Sequence, residues 1–155
     1  MKKIPWNDNH FRKIMNFYLF ECPVYSKTKG KVSKRSITFE DRGIIKNKLN
    51  IFLRQMKNVY PDLYYKVVPK NDIVDNYINK EIEYVVFKED KDIGCTRTIF
   101  YSIRNSLAHG NFEVQSKKGT KFYYFETNKN GEIRSKMRLS EGLLIEWIHL
   151  FKNFP

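Results

Sequence analysis

The dipeptide Asn130-Gly131 constrains this chain more than any other feature. A two-residue hairpin loop needs positive φ at both positions, which Asn and Gly accept most readily, and here alternating runs flank it. Phe122-Tyr123-Tyr124-Phe125-Glu126-Thr127 leads in, and Glu132-Ile133-Arg134-Ser135-Lys136-Met137-Arg138 leads out. Side chains alternate along a strand, so Ile133, Ser135, Met137 and Leu139 should share one face. Arg134, Lys136 and Arg138 should share the other. The predicted hairpin covers about 121–138.

Before the hairpin the apolar period is helical. Phe11, Ile14, Met15, Tyr18 and Leu19 predict a helix over about 9–20, stopped by Pro23. Thr38 with Asp41 three residues on resembles a capping box. Behind it Ile44, Ile45, Leu49, Phe52, Leu53, Met56 and Tyr60 form one stripe as far as Pro61, which predicts a single long bundle helix. Residues 72–87 read as helical, although 82–87 also suits a strand. A further helix from about Thr96 to His109 turns Ile99, Phe100, Ile103 and Leu107 inward and leaves Gly110 at the left-handed position after its end. A last helix starts with Ser140 as N-cap and packs through Leu143, Leu144, Trp147, Ile148 and Phe151. The expected fold is mainly α: one domain over 1–155, an up-and-down helical bundle with a β-hairpin inserted before the last helix.

Composition limits the function classes. A hydrophobic fraction of 41% with 12 Phe and 10 Tyr is enough for a packed core, which excludes wholesale disorder. No apolar run reaches bilayer length, and no apolar stretch follows the basic start Met1-Lys2-Lys3, so a soluble cytoplasmic protein without membrane contact is expected. Cys22 and Cys95 lack CxxC spacing and read as free thiols; His10 and His149 lack spaced partners. No metal site and no cofactor are expected. The net charge of +12 is uneven. Residues 1–60 hold 14 Lys and Arg against 4 Asp and Glu, residues 61–95 hold 5 against 8, and residues 96–155 hold 10 against 5. That distribution favours a polyanion such as RNA, while the Lys, Asn, Ile and Tyr richness of an AT-rich genome would also produce it. The candidate RNA contacts are Lys29, Lys31, Lys34 and Arg35 in a basic loop, and Arg134, Lys136 and Arg138 on the hairpin. The Phe and Tyr residues at 122–125 could stack bases, but packing against a bundle accounts for them as well.

The candidate catalytic residues lie at the end of the 96–109 helix, in Arg104-Asn105-Ser106-Leu107-Ala108-His109. Asn105 and His109 are four apart and share a face, with Ser102 one turn earlier. Arg104 lies about 140° round the helix from His109, within reach of its long guanidinium. These residue types suit RNA cleavage without a metal. The ribose 2′-OH attacks the adjacent phosphorus when a base takes its proton and a cation stabilises the phosphoryl oxygens. Imidazole titrates near neutrality and serves as base or acid, guanidinium offers a fixed fork of donors, and Asn105 can orient the phosphate or His109. One set of these residues supplies a base without an evident acid; two sets across a dimer axis supply both.

The run Ile103-Arg104-Asn105-Ser106-Leu107-Ala108-His109-Gly110-Asn111-Phe112 resembles the motif of the HEPN superfamily, R-x4–6-H with a polar residue, often Asn, after the Arg. With the aromatic hairpin and the Trp-bearing last helix, it is similar to prokaryotic HEPN proteins of defence and toxin systems over about 96–153. The resemblance implies a homodimer pairing two motifs into a metal-independent endoribonuclease site, used as a toxin or phage-defence effector. By that resemblance Arg104 and His109 are catalytic and Asn105 assists. HEPN toxins neutralised by a nucleotidyltransferase partner carry Tyr two residues after the His; here Asn111 stands there, which removes support for that form of control. An antitoxin or other partner protein remains an expected partner. The alternatives are a non-catalytic HEPN module that binds RNA or nucleotides, and a protein-interaction domain.

Overall fold

The computed structural model describes residues 7–23, 38–79 and 81–155. Its spine is a five-stranded sheet of order β1-β2-β5-β4-β3, built from β1 (Tyr64–Val67), β2 (Tyr84–Phe87), β3 (Phe112–Lys117), β4 (Thr120–Lys129) and β5 (Glu132–Ser140). β1 runs parallel to β2, and the other pairs are antiparallel. Four α-helices stand among the described residues: α1 (Asn9–Met15), α2 (Asn47–Asn58), α3 (Gly94–Ala108) and α4 (Glu141–Asn153). The expected mainly α, HEPN-like up-and-down bundle is therefore overturned. This is an α+β fold, and the hairpin is the middle of its sheet rather than an insertion.

The physical reason lies in the strands that periodicity does not reveal. Tyr84–Phe87 is buried at every position, so it shows a continuous apolar run instead of alternation, and such a run cannot be told from a buried helix. It forms a strand, and the helix read over 72–87 reduces to a short 3-10 turn, Val74–Tyr77. β3 closes on β4 through a second two-residue turn, Lys118-Gly119, with φ of 51° and 82°. The Asn130-Gly131 turn has the expected φ values of 53° and 78°.

The sheet's inner face, with Val85, Phe87, Tyr123, Phe125, Met137 and Leu139, carries the helices and the main core. Phe17, Phe39, Phe52, Phe100 and Phe151 pack mostly edge-to-face within it. Two buried donors find acceptors on other elements: Trp147 Nε1 donates to Met56 O (3.0 Å) and Tyr18 OH to Leu144 O (2.6 Å). On the outer face the 3-10 turn covers Tyr84, Val86 and Ile133 in a smaller cluster with Val68 and Val74. The Thr38–Asp41 box forms as read, each backbone N–H donating to the other's side chain, at 3.1 and 3.0 Å. The long helix expected behind it does not form. Gly43 at φ +70° breaks the chain, α2 begins only at Asn47, and Ile45 and Tyr60 stay exposed.

Candidate active site on the last turn of the third helix

α3 buries one side, including Ile99, Phe100, Ile103, Ser106 and Leu107. The opposite side carries Arg97, Tyr101, Arg104, Asn105, Ala108 and His109, partly or fully exposed. Arg104, Asn105 and His109 thus emerge together on the accessible stripe of the helix. Among the described residues, no hydrogen bond or ion pair ties any of their three side chains. Arg97, two turns before Arg104, is engaged with Glu40.

The helix end is fixed from both sides. His109 is the C-cap residue, and Gly110 follows at φ +70°. The N–H of Asn111 donates to Ser106 O (2.8 Å) and that of Gly110 to Leu107 O (3.3 Å), the paired bonds of a Schellman turn. Glu126 N donates in turn to Asn111 O (3.1 Å). Ser106 is fully buried, its Oγ lying 2.8 Å from Ser102 O and 2.9 Å from Glu126 O, one proton serving two acceptors. The serine inside the motif is therefore an anchor to β4, and Ser102 is buried as well. The flanking Arg, Asn and His project from a helix end tied to β4 through Ser106 and Asn111.

The predicted RNA-contacting cations meet different fates. Lys29, Lys31, Lys34 and Arg35 lie outside the described residues. Arg134, Lys136 and Arg138 do not share a face, contrary to the alternation. Pairing passes from Thr127↔Ser135 to Asn128↔Ile133, so Arg134 is the extra residue of a β-bulge. The bulge moves Ile133 to the outer face and leaves Arg134 on the α3 side. Arg138 is buried, its guanidinium 4.1 Å above the Phe122 ring and its Nε donating to Tyr124 OH (3.0 Å). Lys136 is held by Asp75 (2.7 Å) and Glu126 (3.6 Å). Partial burial works against the charge on Lys136, but these carboxylates outweigh it and raise the pKa. Neither Lys136 nor Arg138 is a free phosphate contact.

A groove of about 480 Å³ opens beside the motif, between α3, the 88–92 loop and the bulged end of the hairpin. Tyr101, Asn105, Asn128 and Arg134 line it; Arg104 and His109 are not among its wall residues. Sequence reading missed Tyr101, although its position four residues before Asn105 places both on one face. The bulge at Arg134 left no mark in the sequence.

Among the described residues, Asp8, His10 and Glu141 form the one group with metal-ligand geometry, their donor atoms within 4.8 Å of one another. Each carboxylate already has protein partners. Lys121 pairs with Asp8, Tyr123 OH donates to Glu141 (2.8 Å), and His10 Nδ1 stands 3.1 Å from Glu141. Burial first, and Glu141 second, push the Tyr123 hydroxyl well above its ordinary pKa. The group reads as a network joining α1 to β4 and α4.

No protein-family model, no curated protein and no solved structure matches this chain. No helix of the described residues is long and apolar enough to cross a membrane.

Proposed function

We propose that this chain is a metal-independent endoribonuclease whose site forms when two copies bring their α3 stripes together. One observation supports it above the others: Arg104, Asn105 and His109 stand on the accessible side of a helix end anchored to β4, without side-chain partners among the described residues. Polar side chains carried on an anchored helix end, and unpaired among the described residues, are open to a substrate or a second copy.

In this reading His109 takes the proton of a ribose 2′-OH, and the oxygen attacks the adjacent phosphorus. Arg104 places its guanidinium against the non-bridging oxygens where charge accumulates, and Asn105 orients the phosphate. The second copy's imidazole gives a proton to the departing 5′-oxygen. The products are a 2′,3′-cyclic phosphate and a 5′-hydroxyl, so atoms and protons balance without a cofactor. The role as toxin or defence effector rests on the motif's resemblance and predicts growth arrest on expression, lost in His109→Ala.

The test is incubation of mixed RNA with purified protein in EDTA, beside Arg104→Ala and His109→Ala. Cleavage by the unaltered protein only is the expected result. Intact RNA in every lane across several substrates would refute the reading.

A further inference from the structure

The groove beside Asn105 continues past the bulge. A second recess of about 480 Å³, walled by Val67, Val68, Pro69 and Lys70, shares Lys88, Glu89, Lys91 and Arg134 with the first. The two recesses differ in character. Lys70, Lys88, Lys91 and Arg134 face the single carboxylate of Glu89 in the second recess. The first is mixed: Lys88, Lys91, Lys129 and Arg134 stand against Glu89, Asp90 and Asp92, with Tyr101, Ser102, Asn105 and Asn128 between them. Lys88 is committed to Glu132 and to Lys70 O. The Arg134 carbonyl accepts from Lys88 N (2.9 Å), but its guanidinium has no hydrogen bond or ion pair among the described residues and acts on Glu132 only as a neighbouring charge.

Arg134 sits at the junction because of the bulge. In an unbroken strand its side chain would point to the outer face with Lys136 and Arg138. One extra residue redirects it toward α3, the kind of re-aiming for which bulges are kept beside sites. A half-buried guanidinium, turned by a backbone irregularity into a recess rich in Lys, is placed for an oxyanion.

We propose that the two recesses together hold one nucleotide unit of single-stranded RNA: a phosphate at Arg134 beside Lys70 and Lys91, and its nucleoside in the α3 recess against Tyr101 and Asn105. Asp90 and Asp92 line the nucleoside side, where their charge repels a second phosphate. Asn105 belongs to both this groove and the motif stripe, so the bound unit lies next to the reacting one. The choice of RNA over other phosphate-bearing chains rests on the ribonuclease reading.

The experiment uses the full chain and a fluorescent 2′-O-methyl RNA 12-mer of mixed sequence. That probe binds as RNA does but lacks the attacking hydroxyl. Arg134→Gln should weaken binding about tenfold, the equivalent of one charged hydrogen-bonding contact. It should also reduce the slope of log affinity against log salt by about 0.7, as for one phosphate on a single strand. Arg134→Lys should keep the slope, the exposed Lys91→Gln should lower it, and Tyr101→Leu should weaken binding at unchanged slope. Wild-type affinity and slope in both Arg134→Gln and Lys91→Gln would overturn the proposal, and Lys91→Gln alone decides if the Arg134 variant fails to fold. Displacement of the 12-mer by an equal concentration of free mononucleotide would overturn RNA as the ligand. Weakened binding in these variants, with ordinary RNA left uncut by the unaltered protein, supports the groove and refutes only the cleavage reading.

Discussion

Gly110→Ala separates the conformational part of the site from the chemical part. Gly110 has φ +70°, and a Cβ built there meets nothing within 4 Å. Steric clash with neighbours therefore contributes nothing, and the cost is that of holding an L-residue in the left-handed region, about 1–2 kcal/mol. Alanine also restricts the unfolded chain, which returns about 0.4–1 kcal/mol. The net loss should be about 1 kcal/mol, or roughly 2–4 °C in melting temperature for a chain of this length. Gly110→Asn should lose less than Gly110→Ala, because Asn tolerates this conformation. Urea unfolding followed by circular dichroism measures both, with the denaturant dependence unchanged. Undiminished stability in Gly110→Ala, or an equal loss in the Asn variant, would refute the reasoning. A loss of several kcal/mol would show that the turn meets something the structure does not place there.

Other consequences are checked in the same way. Arg138→Ala should destabilise the fold by about 2–3 kcal/mol, losing a desolvated cation–π contact and the bond to Tyr124 OH, while leaving RNA affinity unchanged; denaturant titration and anisotropy read the two separately. Ser106→Ala should cost about 1 kcal/mol by removing the hydroxyl between α3 and β4, measured by urea unfolding. Burial, the leading cause in each case, raises the pKa of Tyr18, Tyr84 and Tyr123 above the ordinary value of 10.0. Above pH 10 the unfolded chain loses these protons while the folded chain keeps them. Stability from these groups is thus complete below about pH 10 and lost as pH rises further. Ultraviolet titration should show part of the tyrosine ionising only as the protein unfolds; smooth ionisation of all tyrosines near pH 10 in folded protein would contradict this.

The parts of the fold that were legible in the sequence are those whose signals are local. α3 with its Gly110 stop, the Asn130-Gly131 turn, and α4 with Ser140 accepting from Leu143 N (3.3 Å) all follow from chemistry within a few residues. β2 is only half legible, suiting strand or helix alike, because a strand buried on both faces carries no alternation; its parallel partner β1 is joined to it only through a crossover. The helix expected from Thr38 failed because Gly43 and Lys46 take positive φ. On the site, the sequence named Arg104, Asn105 and His109, whose common exposure follows from helical spacing. Strict alternation would put the hairpin cations in a single row. One bulge sends Arg134 to the α3 side, and burial removes Arg138 from the surface.

The central claim is that Arg104 and His109 cleave RNA through its own 2′-hydroxyl. The most direct test is mass spectrometry of the fragment ends after digestion of several RNA oligonucleotides in EDTA. The account predicts 2′,3′-cyclic phosphate and 5′-hydroxyl ends with the unaltered chain, and none with Arg104→Ala or His109→Ala. Ends bearing 5′-phosphate, or the same fragments from the His109 variant, would contradict it.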